Sequence, residues 1–223
     1  SVKDKLIYPK NYAYQSGDSK EKIEDYKNLI SNISRRYYFK KPSIIDIGGN
    51  DGSLMLEAKK KGYSTTNIEP TNVALISKRK GINTIRKNFN IKIAKQLSVK
   101  KKYDFLVSTN FFAHTNNLKE IILASKLILK DQGIMIIEVQ YLYSVLRVNG
   151  FDSIHQDHRY YYTLNSIKKI LEIFNLYIFD AEFLKKNDEI LRVYVNKNKK
   201  NSSKRFKKIL NKENDKIIFS KVK

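Results

Sequence analysis

Apolar and polar positions follow two different periods along this chain, and the periods alternate from residue 43 onward. Short apolar runs of strand length are followed by stretches with apolar residues three or four positions apart, which is typical of amphipathic helices. The runs predict strands at 44–47, 64–69, 83–86, 103–109, 134–139, 177–183 and 190–195. The helical spacing predicts helices at 20–36, 53–61, 72–80, 91–97, 118–129 and 164–174. A turn is predicted at 131–133, and residues 140–162 show no clean period.

This order of elements indicates the fold class. Strands that alternate with helices predict an α/β protein with a Rossmann-like doubly wound sheet and right-handed crossovers. The last two of the seven predicted strands are expected to close the sheet as an antiparallel pair. Ligands of such sheets bind beyond the carboxyl ends of the strands. We therefore expect the functional residues in the loops at 48–52, 69–71, 88–90, 109–114 and 139–162.

A glycine-rich turn follows the first strand and opens the next helix. Glycine lets the backbone approach a ligand closely, and a helix N-terminus presents free N–H groups. The turn lacks the dinucleotide fingerprint, because Asn50 and Ser53 stand where its second and third glycines would be, and it lacks the G-K-[ST] of a P-loop. Glu69 ends the next strand, where a carboxylate can accept hydrogen bonds from both hydroxyls of a ribose. These features favour S-adenosylmethionine, and the alternative is an ordinary strand–turn–helix connection.

Composition narrows the class of protein. The 223 residues suffice for one α/β domain with appendages, and the absence of cysteine excludes disulfides and cysteine-bound metals within this chain. No apolar run approaches the roughly 20 residues of a membrane span. We expect a cytoplasmic protein without membrane contact. Net charge is +22, and the stretch from Asn196 to Lys223 holds eleven Lys or Arg against two acidic residues. A solvated tail and a bias towards lysine explain this charge, and a polyanion-binding role is the alternative.

All three histidines of the chain fall in the predicted strand-end loops. They are His114, His155 and His158, and Asp157 stands directly before the last of them. Imidazole suits proton transfer near neutral pH, and a carboxylate beside it can fix its tautomer. A metal site on these four residues is a competing interpretation, but their spacing matches no standard zinc pattern. We predict no metal site, and a third interpretation is that these are surface polar residues.

Six short motifs occur in an order that resembles one known family. They are IDIGGNDG at 45–52, IEP at 68–70, NFFAH at 110–114, IEVQYL at 137–142, FDSIHQDH at 151–158 and LRVYV at 191–195. Together they resemble the SAM-dependent C-methyltransferases of nucleotide-deoxysugar biosynthesis, over about residues 12–195. That family has a zinc module, a SAM domain and a second α/β domain, and only the middle part is present here. The resemblance implies either a piece of a longer protein, with flanking domains removed, or a naturally reduced member.

The resemblance implies a fold of the class I methyltransferase type and a role for each matching residue. The implied substrate is a nucleotide-linked 4-keto-deoxysugar, which loses its C3 proton and attacks a methyl group as an enolate. His158 is the expected base, oriented by Asp157, while substrate binding or enolate stabilisation is expected from His114, His155 and Tyr14. The residues expected to hold SAM are Asp46, Gly48, Asn50, Gly52, Glu69, Pro70, Phe89, Asn90 and Asn110, with Phe89 against the adenine. One departure concerns the catalytic loop, where His155 replaces the family's tyrosine.

We divide the chain into an N-terminal arm and helix at 1–40, a SAM-dependent methyltransferase domain at 41–196 and a basic tail at 197–223. Three rival functions stay open. A nucleic-acid-directed methyltransferase would use the basic tail and bind oligonucleotides with a steep salt dependence. A non-catalytic SAM-fold module would bind SAM without needing His158. An NAD-dependent reductase is disfavoured by the failed dinucleotide fingerprint.

Overall fold

A computed structural model of the chain describes residues 13–147, 158–184 and 189–214. Seven strands in these residues form one sheet of order β3-β2-β1-β4-β5-β7-β6. Strands β1 to β5 pair in parallel, whereas β7 runs antiparallel to both β5 and β6. The predicted doubly wound α/β sheet with an antiparallel closing pair is therefore confirmed. Its strands are β1 Ser43–Ile47, β2 Ser64–Ile68, β3 Thr84–Ile85, β4 Tyr103–Thr109, β5 Leu129–Gln140, β6 Tyr177–Leu184 and β7 Ile190–Asn196.

The described helices connect these strands and flank the sheet. They are α1 Lys20–Arg36, α2 Ser53–Lys60, α3 Ala74–Arg79, α4 Ile91–Lys100, α5 Leu118–Ile128, α6 Leu142–Arg147, α7 Leu164–Ile173 and α8 Lys204–Asn214. Short 3-10 helices occur at Ser16–Asp18 and Phe111–Ala113. Among the described helices, none is long and apolar enough to cross a membrane.

Both faces of the sheet are covered, which explains the continuous apolar runs. Along β4, Phe105 and Val107 pack into one core cluster and Leu106 into the other, and the core positions of β5 alternate in the same way. One cluster includes residues of α1 and α2, and the other includes residues of α4, α5 and α7. Since neighbouring side chains of a strand point to opposite faces, a strand buried on both sides has no polar alternation.

The predicted turn at 131–133 is wrong, because β5 begins at Leu129 and runs through it. The pairing with β4 shifts in register between Tyr103 and Phe105, so residues 130–133 form an irregular, largely exposed part of the strand. The side-chain amide of Asn196 donates to the Gly133 carbonyl over 2.7 Å, which holds this part against β7. Turn-type residues are tolerated there because the irregularity supplies the bend.

The tail is not simply solvated, which corrects a second expectation. Residues 204–214 form helix α8, whose Phe206 and Ile209 are 4% and 6% exposed. Arg205 lies 2.6 Å from a carboxylate oxygen of Asp180 on β6 and also contacts Glu182. Because the stretch is rich in lysine, its sequence did not predict the amphipathic helix that packs on the domain. The boundary at residue 196 stays a prediction.

Candidate active site

The turn after β1, called the glycine corner here and comprising residues 48–53, is too crowded for a side chain at each of its three glycines. A Cβ at Gly49 would lie less than 3.0 Å from side-chain oxygens of Asn67 and Asp46. A Cβ at Gly52, whose φ is +74°, would collide with the Ser77 hydroxyl. The corner therefore presents bare backbone at the start of α2, which is the cradle that a nucleoside cofactor needs.

Glu69 lies beside the glycine corner, as the sequence predicted. Its side chain is 5% exposed and accepts hydrogen bonds from two backbone N–H groups, Asn50 at 3.1 Å and Thr71 at 2.9 Å. Pro70, between Glu69 and Thr71, is exposed. Two backbone donors fix the carboxylate at the carboxyl end of β2. Each carboxylate oxygen retains further acceptor capacity for a ligand hydroxyl.

The Asn50 side chain has a contact that the sequence did not predict: it holds the N-terminal arm, which comprises residues 13–18 in the described part. Its Oδ1 accepts the Ser16 N–H at 2.9 Å, and its Nδ2 donates to the Tyr14 carbonyl at 3.1 Å. Asp51 accepts the Gly17 N–H at 3.1 Å. The arm is thus docked against the glycine corner, and Tyr14 is 55% exposed beside it. A contact of the Asn50 side chain with a cofactor stays a prediction.

Three buried carboxylates converge near the ends of β1, β2 and β5. Burial, reinforced by the charges of Glu138 and Glu69, raises the pKa of Asp46 to about 8. Glu138 is paired with Arg192, whose Nη2 lies 2.7 Å from Oε1, and both side chains are almost completely buried. Oδ1 of Asp46 is buried and accepts no hydrogen bond from the described residues. The end of β1 therefore carries a buried carboxyl oxygen that is available as a hydrogen-bond acceptor.

The other predicted cofactor residues lie at the carboxyl ends of β3 and β4. Phe89 is 5% exposed, and Asn90 caps α4 by accepting the Ile93 N–H at 3.0 Å. Asn110 has a φ of +64° and donates its N–H to the carbonyl of Glu138 at 2.9 Å. The Asn90 side chain therefore has a structural role, while Phe89 and Asn110 lie in loops on the ligand side of the sheet.

Phe111 connects the glycine corner with the first histidine. A Cβ at Gly48 would lie 2.8 Å from the ring of Phe111, so only glycine permits this contact. The 3-10 helix that starts at Phe111 ends at Ala113, and His114 follows directly. The loop after β4 thus contacts the corner at one end and carries an imidazole at the other.

Two of the three histidines meet across the strand ends. The ring centroids of His114 and His158 are 4.7 Å apart, and the ring of Tyr161 lies 5.6 Å from that of His158. Nδ1 of His158 lies 3.0 Å from Oε1 of Gln140, at the end of β5. An amide oxygen only accepts, so Nδ1 carries the proton and Nε2 is the basic nitrogen. The pair can therefore transfer a proton.

The predictions for His155 and Asp157 fall outside the described residues. The predicted orientation of His158 by Asp157 stays a prediction, and the orienting partner that the structure shows is Gln140. Sequence reasoning missed Gln140, although it stands in one of the quoted motifs. A glutamine at a strand end carries no sequence signal of its own, because only the fold brings it to the histidine.

Helix α1 contributes a buried tyrosine near the site, although its place in the apolar spacing of the helix predicted only a core residue. Tyr26 is 4% exposed, and its side chain lies close to Ser16 and Thr109. Burial raises the pKa of Tyr26, and the nearby charges of Asp46 and Glu138 add to this. Tyr26 therefore connects α1 to the arm, to the end of β4 and to the acidic residues of the site.

Comparison with known proteins decides the family. Residues 19–180 match the family described as "Methyltransferase domain". The chain belongs to this methyltransferase family. Methyltransferases of this family use S-adenosyl-L-methionine, which is the cofactor that the glycine corner favours. This methyltransferase is also 24% identical, over 174 residues, to the C-methyltransferase NovU of Streptomyces niveus. The match covers 77% of this chain but only 41% of NovU.

Solved structures of other methyltransferases share the fold. Magnesium protoporphyrin IX methyltransferase from Synechocystis PCC 6803, with bound SAH, superposes with a TM-score of 0.62 at 12% identity. That similarity covers 78% of this methyltransferase and 83% of the other chain. A SAM-dependent methyltransferase from Clostridium acetobutylicum ATCC 824 has a TM-score of 0.61 at 16% identity, covering 90% and 96%. At these identities the similarity establishes the architecture alone.

Proposed function

We propose that this methyltransferase transfers a methyl group from SAM to a carbon of a nucleotide-linked 4-keto-deoxysugar. The observation that carries the proposal is the imidazole pair of His114 and His158, with Nδ1 of His158 held by Gln140. C-methylation beside a ketone needs a base for a carbon-bound proton, and this pair supplies one. The similarity to a protein named as a C-methyltransferase supports the same reaction type.

The residues at the glycine corner fit the cofactor. Gly49 and Gly52 carry no side chain, and the crowding by Asn67, Asp46 and Ser77 permits none, so the backbone of the corner stays bare, while Glu69 can accept from the ribose hydroxyls. The buried Oδ1 of Asp46 adds an acceptor that no described residue uses. Gly48 and Asn50 complete the corner, Pro70 follows Glu69, and Phe89, Asn90 and Asn110 lie in the adjoining loops. We assign Phe89 to the adenine. When bound, SAM supplies a methyl group on a positively charged sulfur.

The remaining chemistry belongs to the side chains of the chain itself. Nε2 of His158 accepts the proton from C3 of the sugar, whose C–H bond breaks while its electrons delocalise to the 4-keto oxygen. His114 lies next to His158 and stabilises the developing enolate oxygen with a hydrogen bond. C3 is then the nucleophile that would take the methyl group as the bond from the methyl carbon to sulfur breaks, so that SAH leaves and the 4-keto group re-forms. His158 keeps the proton and passes it to solvent afterwards.

Tyr14, His155 and Asp157 are the further residues that we assign to the substrate side. Tyr14 is exposed on the arm next to the glycine corner, where a hydroxyl could reach a bound sugar nucleotide. The roles of His155 and Asp157 rest on the motif at 151–158. Variants of these three residues should weaken turnover without weakening SAH binding.

A methyl-transfer assay tests the proposal. The protein is incubated with SAM and a panel of nucleotide-linked 4-keto-deoxysugars, and mass spectrometry follows a gain of one methyl group and the formation of SAH. We expect one sugar to gain a methyl on carbon and His158→Asn to abolish this while SAH still binds. A methyl group on oxygen, or turnover unaffected by His158→Asn, contradicts the proposed mechanism. SAH binding without any turnover favours a non-catalytic module.

A nucleic-acid substrate is a second candidate that one observation favours. Helix α8 turns its apolar side to the domain and exposes lysines at 204, 207, 208 and 212. Lysines in such an array can contact the phosphates of a nucleic acid and release counterions. Titration of an oligonucleotide at increasing salt separates the candidates, since a nucleic-acid enzyme loses affinity steeply and a sugar enzyme shows little binding at any salt.

A further inference from the structure

The end of helix α8 contacts the start of helix α7. Oε1 of Glu213 accepts the N–H of Leu164 at 2.6 Å, and Oε2 accepts the N–H of Asn165 at 2.8 Å. Glu213 is only 8% exposed, although the residues around it in the sequence include many exposed lysines. A buried carboxylate with two charge-assisted hydrogen bonds is a strong and directional contact.

This contact completes the N-terminus of α7. The first N–H groups of a helix have no partners within the helix, and the positive end of its dipole favours an anion. Thr163 accepts the N–H of Ser166 at 3.0 Å, while Glu213 serves the two N–H groups before it. Without Glu213, one buried and one partly buried N–H group would lose their partners, which destabilises this end of the helix.

The segment just before α7 carries the proposed base. The N–H of Arg159 donates to the Ala113 carbonyl at 2.7 Å, and the Tyr162 hydroxyl donates to the Phe112 carbonyl at 3.0 Å. These two bonds tie residues 158–163 to the loop that ends in His114. The same short segment runs on from His158 into α7 at Leu164, so the position of the α7 N-terminus bears on the position of His158.

Helix α8 itself is anchored by contacts other than those of Glu213. Phe206 and Ile209 are buried, Arg205 pairs with Asp180, and the Ser203 N–H donates to the Phe179 carbonyl at 2.9 Å. The anchor lies on β6, on the far side of the sheet order from the glycine corner. Glu213 is thus a fixed point outside the cofactor site.

We propose that Glu213 is a positioning residue for the proposed reaction: it fixes the α7 N-terminus and thereby the place of His158 against His114 and Gln140. The expected effect on kcat rests on the proposed function, whereas the positioning of His158 does not. Residues 204–214, which the sequence presented as part of a basic tail, thus have a role in the active site. Their influence reaches the histidines through backbone contacts.

The test compares Glu213→Ala and Glu213→Gln with Lys212→Ala, an exposed neighbour on the same helix. We expect Glu213→Ala to lower kcat at least tenfold, with SAH affinity within twofold of wild type and Lys212→Ala unchanged. Glu213→Gln retains one acceptor, so its kcat should lie between those of Glu213→Ala and wild type. Nitrogen-15 spectra of the imidazoles, assigned with His114→Asn, His155→Asn and His158→Asn, should show His158 losing its single Nδ1–H tautomer in Glu213→Ala.

The spectra keep the two proposals apart, because they need no substrate. A changed His158 signal in Glu213→Ala, in a chain that methylates none of the sugars, supports the positioning role and refutes the substrate. An unchanged His158 signal, or a kcat that equals that of wild type, overturns the positioning role. If Glu213→Ala fails to bind SAH, the same spectra of Glu213→Gln decide: an altered His158 tautomer supports the role, and wild-type signals refute it.

Discussion

Oε1 of Gln140 lies 3.0 Å from Nδ1 of His158 and sets the tautomer of the proposed base. The two residues are 18 positions apart, and the fold joins them because β5 ends where the segment before α7 returns to the strand ends. A neutral amide orients the ring without adding a further carboxylate to a site that already holds three buried ones.

The first prediction concerns this pair. Gln140→Ala removes the acceptor, and because a hydrogen bond of this kind is worth about 0.5–1.5 kcal/mol, turnover should fall about three- to tenfold. Gln140→Glu retains an acceptor and should keep more of the activity. Steady-state kinetics measures both, with the exposed Gln96→Ala as the matched control. Equal turnover for Gln140→Ala and Gln96→Ala would show that the amide does not orient the base.

The second prediction concerns the raised pKa of Asp46, which burial moves from 3.8 to about 8. Between these values the folded state keeps a proton that the unfolded state has released, so a rise in pH favours unfolding. The free energy of unfolding should fall by up to about 1.4 kcal/mol per pH unit over this range. Asp46→Asn carries no such proton and should lack this slope.

Urea denaturation at pH 5, 6, 7 and 8, without cofactor, measures the effect. The difference in unfolding free energy between Asp46→Asn and wild type should grow in favour of the variant as pH rises. The exposed Asp18→Asn serves as the control and should follow wild type. Parallel curves for wild type and Asp46→Asn would mean that Asp46 titrates normally in the folded protein.

The third prediction concerns the bare backbone at Gly49. In Gly49→Ala the new methyl would displace the side chains of Asn67 and Asp46, so SAH affinity should fall at least about tenfold, or roughly 1.4 kcal/mol. Gly62→Ala is the control: apart from its chain neighbours, no atom of the described residues lies within 4 Å of a Cβ there. Its φ of +82° adds about 1–2 kcal/mol of strain at the opposite end of α2 from the corner. Calorimetry should find weak SAH binding only in Gly49→Ala. Normal binding by that variant would disprove the role of the corner.

The fourth prediction concerns the docking of the arm by Asn50. Asn50→Gly removes both side-chain hydrogen bonds and suits its φ of +49°, whereas Asn50→Asp retains the acceptor for the Ser16 N–H. Hydrogen exchange at Ser16 should therefore accelerate about five- to tenfold in Asn50→Gly, the equivalent of about 1 kcal/mol. Asn50→Asp should protect Ser16 almost as wild type does. Equal protection in all three proteins would indicate that the arm is held elsewhere.

Much of the fold could be predicted because its strands are buried on both faces. Helix α1 and strand β4 match the predicted ranges 20–36 and 103–109, since long helical spacing and continuous apolar runs are strong signals. Helix α8 was missed because exposed lysines outnumber its few apolar positions. Helix α6 was missed because its short stretch shows no clear period.

The site was predictable as far as topology determines it. The rule that ligands bind at the carboxyl ends of strands led to Glu69 beside the glycine corner and to His114 near His158. This rule does not predict which side chains form hydrogen bonds with one another. Gln140 as the partner of His158, and Asn50 as the holder of the arm, depend on tertiary contacts between residues that lie far apart in sequence.

Proton exchange in deuterated water is the most direct test of the central claim, since it isolates the step assigned to His158. A nucleotide-linked 4-keto-deoxysugar is incubated in D₂O with the protein and SAH, and NMR follows the C3 hydrogen. We predict that wild type replaces this hydrogen with deuterium and that His158→Asn, which still binds SAH, does not. Exchange at equal rates in both proteins, or no exchange in wild type with any sugar that it methylates, would contradict the account.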